Sequence, residues 1–152
     1  MDDLVADLLP YDFSRRVFYH VHPLQTSSVS LLHAPLTGRT PMAYNTHMIF
    51  LETKVFTTRI EEAMNDDEYA RLQCHLSQHP DAGAMIPGCG GVRKIRWTAS
   101  GRGKRGGSRL IYYWDFGDRI LMLYVYKKNE RENMTEEQKK AIRQVAEEYK
   151  HE

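Results

Sequence analysis

Between residues 48 and 152 the spacing of apolar positions changes several times, and each change marks an element. Met48 to Thr53 (MIFLET) is a short apolar run of the kind a buried strand makes. From Val55 to Met64, the residues Phe56, Ile60 and Met64 recur four apart, on one face of a helix. Asn65 is placed to cap a second helix, with Glu68 three residues on as its capping-box partner. Tyr69, Leu72 and Leu76 lie on that helix, and it is expected to stop before Pro80. Residues 81–91, rich in glycine and proline, read as a loop. Alternation then predicts strands at Val92–Thr98, Ser108–Phe116 and Arg119–Lys127, with Gly117-Asp118 as a tight turn between the last two. Thr135 and Gln138 form another capping box, opening a final helix with Ile142, Val145, Ala146 and Tyr149 on one face. The order β-α-α-β-β-β-α predicts an α+β domain, its helices packed on one face of a small, mostly antiparallel β-sheet.

Residues 1–47 keep neither period for long. They hold four of the seven histidines and four of the six prolines, a composition unlike that of the rest. The segment is read as a poorly ordered N-terminal extension, and Met48 opens a stretch, residues 48–152, that reads as a complete domain. Start-codon choice is one source of such an extension; N-terminal sequencing of the native product that returns Met1 would exclude it. His20 and His22 lack a third ligand at metal-binding spacing, so incidental histidines are the simpler reading. Cys74 and Cys89 form neither a CxxC pair nor a zinc pattern, which fits a reducing cytoplasm. No apolar run approaches the roughly 18 residues that span a membrane. The start, MDDLVADLLPYD, carries acids where a signal peptide would carry a basic n-region, so no export signal is expected.

Charge changes the picture. The chain is only +1 overall, yet Gly90 to Tyr113 holds Arg93, Lys94, Arg96, Arg102, Lys104, Arg105 and Arg109 with no acidic residue. Strand parity puts Lys94 and Arg96 on one face, Arg109 and Tyr113 on the matching face of the next strand, and Tyr126 and Lys128 on that of the last. Cations assembled on a rigid floor repel one another unless a polyanion covers them, so the arrangement points to a nucleic-acid backbone. The glycine-rich loop Ser100 to Gly107 overhangs that face, with Lys104 and Arg105 as backbone-positioning contacts. The platform carries no histidine and the basic run no carboxylate, so an amine is left as the base; Lys94, close to Arg96 and Arg109, is the candidate. Arginine is too basic for that task and suits the extra charge of a pentavalent phosphate, a role for Arg96 and Arg109. No acidic cluster suggests magnesium, and a mechanism without metal or cofactor is the simpler reading. His75 and His79, near the end of the second helix, read as exposed or capping residues.

Several runs carry a family resemblance: FLETKVFTTRI (Phe50 to Ile60), DDEYARLQ (Asp66 to Gln73), PGCGGVRKIRW (Pro87 to Trp97), GRGKRGGSRLIYYW (Gly101 to Trp114) and YKKNE (Tyr126 to Glu130). Together they resemble the RelE superfamily of bacterial toxins, and its HigB-type branch in particular. The resemblance implies a small antiparallel sheet with flanking helices and cleavage of messenger RNA in the ribosomal decoding site. It further implies attack of the 2′-hydroxyl on the adjacent phosphate and restraint by a cognate antitoxin. It implies catalytic roles for Lys94, Arg96, Arg109 and Lys128. RNA or ribosome contacts are expected of Arg93, Arg102, Lys104, Arg105, Tyr113, Tyr126 and Lys127. In the family's YGKNE pattern the second position is glycine; here it is Lys127, which leaves open whether Lys127 or Lys128 fills the terminal basic role. The antitoxin is expected to be of the helix-turn-helix type, and DNA to be met only through it.

A non-catalytic RNA- or ribosome-binding module built on the same fold would use the same basic face. The two readings part on Lys94 and Arg109, which only an enzyme needs for chemistry. A DNA-binding regulator ranks lower, since the chain has no basic helix-turn-helix pattern.

Overall fold

The computed structural model describes residues 13–20, 47–98, 107–128 and 134–150, the first segment and His47 by backbone only. The described elements run β1 (Phe13–His20), β2 (His47–Thr53), α1 (Lys54–Ala63), α2 (Asp66–Gln78), β3 (Ala84–Met85), β4 (Arg93–Trp97), β5 (Ser108–Trp114), β6 (Arg119–Lys127) and α3 (Glu136–Lys150). The strands form one sheet in the order β1-β2-β6-β5-β4-β3. Among the described strands only β2 and β6 pair in parallel; the other neighbouring pairs are antiparallel. An α+β fold with a mostly antiparallel sheet is what the periodicity predicts, and the helices fall within a residue or two of expectation. Strand β1, drawn from the N-terminal extension, is an addition that the patterning did not predict.

Local chemistry accounts for the helix starts. The Thr53 side chain accepts from the Phe56 N–H at 3.2 Å, and Asn65 Oδ1 accepts from the Glu68 N–H at 2.9 Å. Gln138 N–H donates to Thr135 Oγ1 at 3.2 Å while Thr135 N–H donates to Gln138 Oε1 at 3.0 Å, the reciprocal capping box that the sequence predicts.

On one point the packing departs from expectation: the helices cover both faces of the sheet. Phe56, Ile60, Leu72 and Leu76 of α1 and α2 cluster with Ile95, Leu110, Tyr112, Ile120 and Met122. Ile142, Val145 and Ala146 of α3 cluster with Ile111, Tyr113, Leu121 and Leu123 on the opposite face. Strands β5 and β6 are almost wholly buried, Leu110, Ile111, Tyr112 and Ile120 to Leu123 each being 0% exposed. A strand apolar on both sides needs cover on both.

A second departure lies in β6. Its pairing with β5 slips between Ile111 (opposite Tyr124) and Tyr112 (opposite Met122), so Leu123 is an extra residue. Simple alternation groups Val125 with Leu121 and Leu123; the bulge instead puts Val125 with Met122 on the α1–α2 side. It leaves Tyr124 and Tyr126 on the α3 side, with Ile111.

Strand β2 pairs only with the first part of β6, from Arg119 to Met122. The chain then turns at Thr53, whose Oγ1 donates to the Leu123 carbonyl at 2.8 Å, and α1 packs along the rest of β6. Glu52, fully buried, ties this corner together. Its carboxylate accepts from Thr57 Oγ1 at 2.9 Å and from the Tyr69 hydroxyl at 2.7 Å, joining β2 to α1 and α2.

Candidate functional site

Three strand ends meet where β4 finishes, β5 begins and β6 finishes. Arg96 stands opposite Arg109, and Arg109 opposite Tyr126. Directly opposed residues point to the same face, so these three side chains form one row on the α3 side. The next row along holds Lys94, Ile111 and Tyr124. Gly107 lets the strand ends close up: a Cβ there would lie 3.2 Å from the Trp97 carbonyl oxygen and 3.3 Å from Thr98 Oγ1. Its carbonyl accepts from the Lys128 N–H at 3.1 Å. Lys128 is exposed, just past the end of β6, where alternation carries it back to the Arg109 side.

Left to itself this row is unfavourable. Like charges directly opposed across an antiparallel pair destabilise it, by up to about 1 kcal/mol. Furthermore, Arg109 Nη1 and Tyr126 Oη are buried, and neither has a hydrogen-bond partner among the described residues. Burial pushes the Tyr126 hydroxyl above the usual phenol value, while the Arg109 guanidinium beside it pulls the other way. Two adjacent buried donors without acceptors, next to a second guanidinium, suit an anion with several oxygens, such as phosphate.

The structure adds two residues that sequence reasoning left out. The Arg59 guanidinium, reaching from α1, lies 4.9 Å from the centroid of the Tyr124 ring. Tyr124 in turn is 6.0 Å from Tyr126, centroid to centroid, in a tilted contact. Nothing in a single arginine on an amphipathic helix signals this; it follows from α1 packing where β2 no longer covers β6.

Other expected site residues lie elsewhere. Tyr113 is 6% exposed and forms the floor of α3: its ring is 6.2 Å from that of Tyr149, and Lys150 Nζ is 5.1 Å from its centroid. Arg93 is in register with Tyr112, on the α1–α2 face. Its Nη1 donates to the Asp81 and Gly83 carbonyls at 3.0 and 2.8 Å, holding a loop that the Tyr112 hydroxyl also fixes through Pro80 and Gly83. Lys127 is in register with Ser108, itself opposite Trp97, and so also lies away from the arginine row. His75 packs 5.5 Å from Trp97, on that same side. Arg102, Lys104 and Arg105 lie outside the described residues.

A family model described as the RelE toxin of the RelE / RelB toxin-antitoxin system matches residues 52–152. The chain belongs to the RelE toxin family. It is thus the toxin of a toxin–antitoxin pair, with an antitoxin as partner, in a family whose members generally cleave messenger RNA. The match begins at Glu52, the buried anchor of α1 and α2, and runs through α3, so the whole arginine row falls inside it. Among the described residues of this RelE-family toxin, no helix is long and apolar enough to cross a membrane.

Proposed function

We propose that this toxin is a HigB-type, ribosome-dependent endoribonuclease that cuts messenger RNA in the decoding site by a metal-free transfer on the Arg96–Arg109 row. The observation that carries this reading is the pair of orphaned buried donors, Arg109 Nη1 and Tyr126 Oη, beside Arg96. Lys94, one row along, takes the proton from the 2′-hydroxyl. The 2′-oxygen attacks the adjacent phosphorus, and Arg96 and Arg109 carry the extra charge of the pentavalent phosphorane. The bond to the 5′-oxygen then breaks and Lys128 supplies the proton to that oxygen, leaving a 2′,3′-cyclic phosphate and a 5′-hydroxyl. Donors preorganised at the phosphate do the work that a divalent ion does elsewhere. The Tyr126 hydroxyl orients a phosphate oxygen without joining the proton transfers. The antitoxin is of the helix-turn-helix type, and DNA is contacted through it.

The test compares Lys94→Ala with the unaltered toxin after brief induction, mapping 5′-hydroxyl RNA ends across translated messages. The expected result is loss of those ends with only a modest fall in RNA affinity. Ends at wild-type abundance in the variant would refute the mechanism. An unaltered toxin that produces no such ends, yet still binds RNA, would make the chain a binding module instead.

A further inference from the structure

We propose that Arg59 is a further substrate-binding residue, gripping the backbone phosphate next to the scissile one. The inference rests on reading the Arg96–Arg109 row as the cleavage site, and it extends that site onto a different layer of the fold. The steps from one residue to the next are short. Arg109 stands opposite Tyr126, Tyr126 is 6.0 Å from Tyr124, and the Arg59 guanidinium lies 4.9 Å from the Tyr124 centroid. Tyr124 and Tyr126 are two residues, roughly 7 Å, apart along the strand, so a guanidinium over the Tyr124 ring stands beside the Arg109 row rather than within it. Successive phosphates of an extended RNA strand are spaced on that scale.

The chemistry fits the place. A guanidinium held over a ring by its attraction to the π face spends none of its N–H donors in a hydrogen bond. Arg59 makes no ion pair or hydrogen bond among the described residues; the ring contact is what holds it. Glu62 lines the same small cavity, beside Tyr126 and Lys127. The ring contact thus restricts a long side chain before any ligand arrives. A phosphate held here would fix the strand beside the Arg109 row and so set which phosphate reaches Arg109.

A purely structural Arg59, clamping α1 to β6, predicts something different. The two are separated by single-turnover cleavage of ribosome-bound messenger with toxin in excess, run at several salt concentrations. Arg59→Gln is expected to raise the half-saturating toxin concentration about fivefold while the maximal rate stays within roughly twofold. The slope of log affinity against log salt should fall by about 0.7 to 0.9, the loss of one phosphate contact. Arg59→Lys, which keeps the charge and serves if the glutamine variant folds poorly, should retain the wild-type salt slope. An unchanged salt slope in Arg59→Gln, or a loss confined to the maximal rate, overturns the inference. Arg109→Ala is run alongside. If it is inactive while Arg59→Gln matches wild type, the inference alone falls; if it cleaves at full rate, the site itself has been misread.

Discussion

Replacing Arg109 with methionine should make this toxin inactive and more stable at once. Arg109 faces Arg96 directly across the β4–β5 pair, and its Nη1 is buried without a partner among the described residues. The opposed charges cost up to about 1 kcal/mol. A buried, unsatisfied donor costs about 1–3 kcal/mol, and the lower end applies because Arg109 as a whole is half-buried. Methionine keeps the packing of the aliphatic stem while removing both penalties. The net gain expected is about 1–2 kcal/mol, and for a chain of 152 residues that corresponds to a melting point roughly 3–6 °C higher. Urea and thermal unfolding of Arg109→Met and wild type, at low and high salt, read the effect directly. The gap should narrow at high salt, because screening relieves the repulsion in the wild type. A lower midpoint in the variant would mean that Arg109 has a structural partner. Retained cleavage would mean that the row is not the site. Either result refutes the reasoning.

Two other outcomes follow from the geometry. Lys128→Ala should slow single-turnover cleavage on the order of a hundredfold, whereas Lys127→Ala should leave it close to wild type, because register puts Lys127 on the Ser108–Trp97 side; the reverse order of effects would contradict the assignment. Burial, opposed by the nearby Arg119, pushes the Tyr149 hydroxyl from its usual 10.0 up to about 12. A pKa raised on folding stabilises below the unfolded value and ceases to do so as pH climbs through the folded one, so stability should decline between pH about 10 and about 12. Burial shifts Tyr112 and Tyr126 in the same direction. Urea midpoints measured across that range should fall less steeply for Tyr149→Phe, and an identical pH profile would count against Tyr149.

Much of this protein is legible without coordinates because the governing physics is local. Capping residues such as Asn65 and Thr135 mark helix starts, since a side-chain oxygen three residues from an orphan N–H satisfies it wherever the helix later packs. Two-residue alternation likewise brings Lys94 and Arg96 to one face, and antiparallel pairing brings Arg109 to them. The basic row and the α+β class are consequences of that short-range order. What the sequence could not contain were facts about which distant surfaces meet. The extra residue Leu123 shifts the parity of β6 only because β5 is its partner, and that shift separates Val125 from Leu121 and Leu123. Tyr113 alternates into the basic face as expected, yet α3 folds back over it and takes it out of solvent. Arg93 is one residue from Lys94 in the chain but on the opposite face, tied to the Asp81–Gly83 loop. Arg59 reaches the tyrosines because β2 stops pairing halfway along β6 and α1 occupies the remainder. Periodicity assigns a side chain to a face; only packing decides what covers that face, and therefore which of the expected residues remain free to meet a ligand.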